Sequence, residues 1–80
     1  MNDARLRWQC RRGMRELDVL LLDYLERRWP RAGEGEKVAF RALLQLGNDL
    51  LIAYLLQGET VEDEALADVV RRIRDPARSG

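Results

Sequence analysis

Eighty residues supply enough apolar surface for one hydrophobic core and not for two, so a single domain over residues 1–80 is expected. With 46% apolar and 35% charged residues the chain reads as globular, and its formal net charge of zero argues against a dedicated nucleic-acid binder. No histidine is present, which removes the commonest general base and metal ligand, and one cysteine allows no internal disulfide, as suits a reducing compartment.

Helical periodicity runs along the chain, with no strand-like alternation. The segment from Asp3 to Arg12 can hold a short first helix, with Leu6 turned inward and Trp8 and Cys10 as further candidates for that face. Trp8 has two readings of equal weight, packing this helix onto the rest or anchoring a partner as tryptophan does at interface hot spots. Cys10 reads as a small buried apolar residue in preference to a thiolate favoured by nearby arginines. Gly13 fits the left-handed position that follows a helix C-terminus, with Arg12 before it and Glu16 in the next first turn, both suited to the helix dipoles. The surrounding Arg11-Arg12-Gly13-Met14-Arg15-Glu16-Leu17-Asp18 packs three arginines and two carboxylates around that glycine. Such charge density belongs on a surface, and a loop fixed by a helix cap can also be read by a partner.

A second helix is expected from about Arg15 to Trp29. Leu17, Leu20, Leu21, Tyr24 and Leu25 form its apolar stripe, and Pro30 stops it. Trp29 beside that proline reads as a lid on the core. A third helix over Glu36 to Leu46 buries Phe40, Leu43 and Leu44, and Gly47 ends it. Asn48 or Asp49 can cap a fourth, carrying Leu50, Leu51, Tyr54 and Leu55 to Gly58. Thr60 and Asp63 resemble a capping box opening a fifth with Leu66, Val69, Val70 and Ile73 on its stripe; Asp75-Pro76 ends it and residues 76–80 fray. The expectation is an all-α fold, a compact antiparallel bundle of about five short helices.

Little in this inventory can do chemistry. A structural zinc site wants four Cys or His ligands, no glycine-rich phosphate loop is present, and the carboxylates sit where solvation and helix dipoles explain them. The chain is therefore not expected to be an enzyme. Leu50 to Leu56, the longest apolar-rich stretch, is far too short to cross a bilayer, and the N-terminus lacks the apolar run of a signal peptide, so a cytoplasmic protein without membrane insertion is expected. Arg5, Arg7, Arg11, Arg12 and Arg15 face only Asp3 before residue 16. This local basic segment supports an alternative reading as a small nucleic-acid-binding or antitoxin-type protein, which Glu16 and Asp18 and the lack of a recognition helix oppose.

The block from Trp8 to Asp18 closely resembles the small succinate dehydrogenase flavinylation factors, the SdhE family of bacteria and its mitochondrial counterpart. The family hallmark Arg-Gly-x-x-Glu is met by Arg12, Gly13 and Glu16; Leu17-Asp18 after it and Trp8 and Cys10 before it also match the bacterial form. The resemblance implies a non-catalytic assembly factor with no permanently bound cofactor. It would bind the flavoprotein subunit of succinate dehydrogenase, and often of fumarate reductase, and promote covalent attachment of that partner's FAD to a partner histidine. A chain without histidine would act in trans, and no nucleic acid is implied. By the same resemblance Arg12, Gly13 and Glu16 lie in the partner contact, with Trp8, Arg11, Met14 and Asp18 beside them. Gly13 would permit close backbone approach, and Arg12 and Glu16 would supply paired polar contacts. The chain departs from the bacterial pattern before and within the fourth helix. Gly47-Asn48-Asp49 replaces an acidic, often proline-containing turn, with Asp49 keeping an acid there, and Tyr54 is the nearest aromatic where relatives carry tryptophan.

Overall fold

The computed structural model describes residues 3–74, and every regular element among them is helical. In chain order these are α1 (Asp3–Gln9), α2 (Arg15–Arg27), a single 3-10 turn (Trp29–Arg31), α3 (Glu34–Leu44), α4 (Asn48–Leu51) running into a π-helical turn (Ile52–Leu56), and α5 (Glu64–Arg74). The all-α bundle expected from periodicity is the observed architecture.

α1 buries Leu6 and Cys10, which lie four residues apart and so share one helix face. Trp8 lies two residues from each and faces the other way, 74% exposed, which removes the packing reading of the two it was given. Cys10 is fully buried, and burial pushes its thiol up to about 11 against the opposing pull of Arg7 and Arg12. Each pKa unit is a tenfold loss of thiolate, so near neutral pH the native chain should react with a thiol reagent about two orders of magnitude more slowly than the denatured chain. Equal rates before and after denaturation would show that Cys10 is reachable in the fold.

α2 carries Glu16 and Asp18 in its first turn and Arg27 in its last, the order its dipole favours. It stops at Arg27, two residues before the expected end. Trp29-Pro30-Arg31 forms its own tight turn, in which the proline ring's fixed φ fits and its missing N–H leaves no hydrogen bond unmade. That turn swings Trp29 into the core, where its ring centroid lies 5.6 Å from Phe40, and Phe40 in turn lies 4.5 Å from Tyr24. Lys37 and Arg41 sit over the Trp29 ring at 5.1 and 5.5 Å.

α3 starts and ends two residues earlier than expected. Extended Gly33 precedes it, and Glu34 and Glu36 occupy its first turn. Its C-terminus tightens, with the Gln45 and Leu46 N–H groups donating to Ala42 and Leu43 carbonyls, both at 3.1 Å. Glu36 becomes the polar tie of the bundle. It accepts from the Tyr24 hydroxyl and, through both carboxylate oxygens, from Arg28 at 3.1 Å, with Arg72 of α5 at 3.7 Å. Burial pushes the Glu36 carboxyl up, but the bonds from Arg28 and Tyr24 and the charges of Arg28 and Arg72 outweigh it and leave it below its ordinary value.

The fourth helix widens into a π turn, in which the Gln57 N–H reaches Ile52 O, five residues back, at 3.0 Å. Gly58, at φ +75°, closes it, and the Glu59 N–H returns to Ala53 O, six residues back, at 2.9 Å, a left-handed stop one residue wider than the usual one because it follows the π turn. At the start of α5, Asp63 and not Thr60 is the cap. Its carboxylate accepts the Leu66 N–H at 3.0 Å and its carbonyl the Ala67 N–H at 2.8 Å, because Asp63 directly precedes the first turn while exposed Thr60 lies three residues outside it. Val69, Val70 and Ile73 then pack α5 against α3 and α2. The expected stop at Asp75-Pro76 and the expected frayed tail lie outside the described residues.

Candidate functional site

The loop between α1 and α2 is built from both of its flanks. α1 ends with the Cys10 N–H shared between Leu6 O and Arg7 O, and the Arg11 N–H on Trp8 O at 3.1 Å. Gly13 then takes φ +82°, the left-handed region that a side chain resists, and a Cβ placed on it would have no atom within 4 Å. The glycine is thus demanded by the backbone and open to solvent. Met14 is extended and half-buried against the core, and its carbonyl accepts the Asp18 N–H at 2.8 Å as α2 begins.

Arg12 turns inward from this loop. Its Nε donates to Asn48 Oδ1 at 2.9 Å, Nη1 to Gln9 O at 3.2 Å and Leu44 O at 3.0 Å, and Nη2 to Leu46 O at 3.0 Å. One planar fork therefore gathers carbonyls left open at the ends of α1 and α3, where the helix dipoles favour a cation. The main chain of Arg12 is held as well. Its N–H donates to Asp18 Oδ1 at 2.7 Å, and its carbonyl accepts from Asn48 Nδ2 at 3.4 Å.

The seven residues singled out in the sequence divide accordingly. Trp8, Arg11, Gly13 and Glu16 are exposed around the loop, whereas Arg12, Met14 and Asp18 are half-buried and face the fold. Among the described residues no hydrogen bond or ion pair joins Arg12 to Glu16. Asn48, expected as a helix cap, is the first residue of α4 after extended Gly47, and its amide serves Arg12. Nothing in the sequence marks that role, since its partner lies 36 residues away and the other acceptors are backbone carbonyls. Asp49 is exposed next to it, and Tyr54 is half-buried in the π turn.

No cluster of His, Cys, Asp or Glu among the described residues could hold a metal ion, and no helix among them is long and apolar enough to cross a membrane.

The profile of a protein family described as flavinator of succinate dehydrogenase matches residues 4–77. Three similar proteins bear the name FAD assembly factor SdhE. That of Idiomarina loihiensis is 40% identical over 67 residues, which cover 84% of this chain and 74% of the relative. That of Xylella fastidiosa is 41% identical over 70 residues, covering 88% and 72%. That of Shewanella oneidensis is 39% identical over 77 residues, covering 96% and 94%.

Proposed function

The chain belongs to the flavinator of succinate dehydrogenase family, and from that membership we propose that it is a non-catalytic assembly factor which binds the flavoprotein subunit of succinate dehydrogenase and promotes covalent attachment of FAD to it. The observation that carries the site is the left-handed, solvent-open Gly13 ringed by exposed Trp8, Arg11 and Glu16. A partner's main chain can approach where no Cβ stands, Trp8 supplies the anchor, and Arg11 and Glu16 supply charge complementarity at the edge. Arg12 and Asp18 serve the same surface from behind by fixing the loop, with Met14 seating it on the core. The chain is proposed to hold no cofactor of its own and to act on the partner's FAD in trans; having no histidine, it cannot itself be a histidyl-flavin acceptor. The flavoprotein subunit of fumarate reductase presents the same task and falls within the proposed range, and the setting is cytoplasmic.

The nucleic-acid or antitoxin reading draws less support. Of the arginines in the basic N-terminal segment, Arg12 is engaged inside the fold and Arg7 pairs with Glu26 at 3.3 Å.

Co-expression with the flavoprotein subunit in a host lacking its own factor tests the proposal, with covalent flavin read as fluorescence of the denatured subunit. The parent chain should be required for the signal, and Trp8→Ala and Glu16→Ala should each lower it several-fold, as loss of an interface residue does. Covalent flavin that forms equally well without the chain would sink the proposal.

A further inference from the structure

The glycine at position 13 makes the loop possible but does not choose its shape, because glycine enters many backbone conformations at similar cost. The choice must come from groups that hold the neighbouring peptides. Both main-chain polar groups of Arg12, immediately before Gly13, are held by side chains from two different helices: the N–H by Asp18 of α2 and the carbonyl by Asn48 of α4. Asn48 also receives the Arg12 Nε, and among the described residues it is the only side chain of the four acceptors of that guanidinium.

We infer that Asn48 is a positioning residue for the partner-docking loop, acting through Arg12 to impose the backbone shape that presents Gly13. The inference rests on the docking role proposed above. Asn48 is suited to it because an amide is both acceptor and donor, so one side chain clamps the guanidinium and the peptide of the same residue. It is also free for it. α4 is preceded by Gly47, no side chain caps that end, and the Asn48 amide makes no bond to its own helix. Replacing Asn48 thus removes a long-range clamp while leaving the helix that bears it intact.

Two substitutions separate the halves of the clamp. Asn48→Ala removes both, whereas Asn48→Asp keeps an acceptor for Arg12 Nε and loses the donor to the Arg12 carbonyl. Hydrogen exchange of the Arg12 Nε–H and the Arg12 and Gly13 amides is followed in the free chain, affinity for the flavoprotein subunit is measured by titration, and helicity and thermal melting are recorded in parallel. In Asn48→Ala the Nε–H should exchange about tenfold faster and the partner bind about tenfold more weakly, as expected for loss of a hydrogen bond to a charged group, in a chain of parental helicity. Asn48→Asp should restore slow Nε–H exchange and recover part of the affinity. Parental exchange and affinity in Asn48→Ala would overturn the inference. So would an affinity loss accompanied by loss of helicity in both variants. A parent chain that fails to bind the subunit would instead remove the proposed function, and the docking role of the clamp with it, while exchange in the free chain would still decide whether Asn48 holds Arg12.

Discussion

Gly13→Arg is expected to abolish binding of the flavoprotein subunit, lowering affinity by at least about a hundredfold, in a chain that still folds. The two effects come from different properties of the same residue. An arginine at φ +82° carries the penalty of a left-handed side chain, about 1–2 kcal/mol, which for a domain of this size lowers the melting temperature by roughly 4–16 °C. Nothing stands within 4 Å of the new Cβ, so the core is not disturbed and the side chain projects into the space where a partner would approach. Gly13→Ala carries the same backbone strain with little bulk, and should melt like Gly13→Arg while keeping measurable binding. Circular dichroism melts beside titration with the subunit check this. A Gly13→Arg chain without helicity would make the loop structural first, and one that folds and binds like the parent would remove Gly13 from the contact.

Arg12→Ala should show the opposite pattern, with a large loss of stability from which the loss of binding follows. The guanidinium bonds Asn48 Oδ1 and the carbonyls of Gln9, Leu44 and Leu46, joining the ends of α1 and α3. Hydrogen bonds to a charged group contribute about 1.5–3 kcal/mol each, but here they share one side chain, and carbonyls at helix ends can regain water once it is gone. A net loss of about 2–3 kcal/mol follows, or roughly 10–20 °C in melting temperature. Arg12→Lys should lie between, because a single ammonium keeps the charge but cannot reach acceptors spread across two helix ends. A parental melting temperature for Arg12→Ala would show that the clasp contributes nothing to the fold, and full flavinylation by Arg12→Lys would rule out any need for the planar fork.

What the sequence disclosed follows from the range of the forces involved. The stripe Leu17, Leu21, Tyr24 and Leu25, the left-handed glycines at 13 and 58 and the charge order of α2 are local signals, each written within one or two helical turns, and each was legible, although Gly13 lies four residues beyond Gln9 and shapes the loop without ending α1. The ends of α2 and α3 slipped by two residues, and the cap of α5 by three, from Thr60 to Asp63, because both residue types suit that role. Trp8 could be placed only by deciding which face of a two-turn helix carries Leu6 and Cys10. The π turn was invisible, since one extra residue leaves the apolar pattern of Leu51 and Leu55 readable as an ordinary helix. The inward course of Arg12 was hidden for a deeper reason. Its acceptors are mostly main-chain carbonyls, which every residue has, at positions 32 and 34 residues along.

Those separations set an order on the protein's making. Every exposed residue of the proposed face lies within the first sixteen, so that stretch leaves the ribosome well before the α3–α4 turn that shapes it. A nascent chain ending before residue 44 carries the motif without the acceptors at Leu44, Leu46 and Asn48 that close the clasp. The loop therefore matures late although it is synthesised early, and a partner that recognises its finished shape selects molecules whose third helix has already docked.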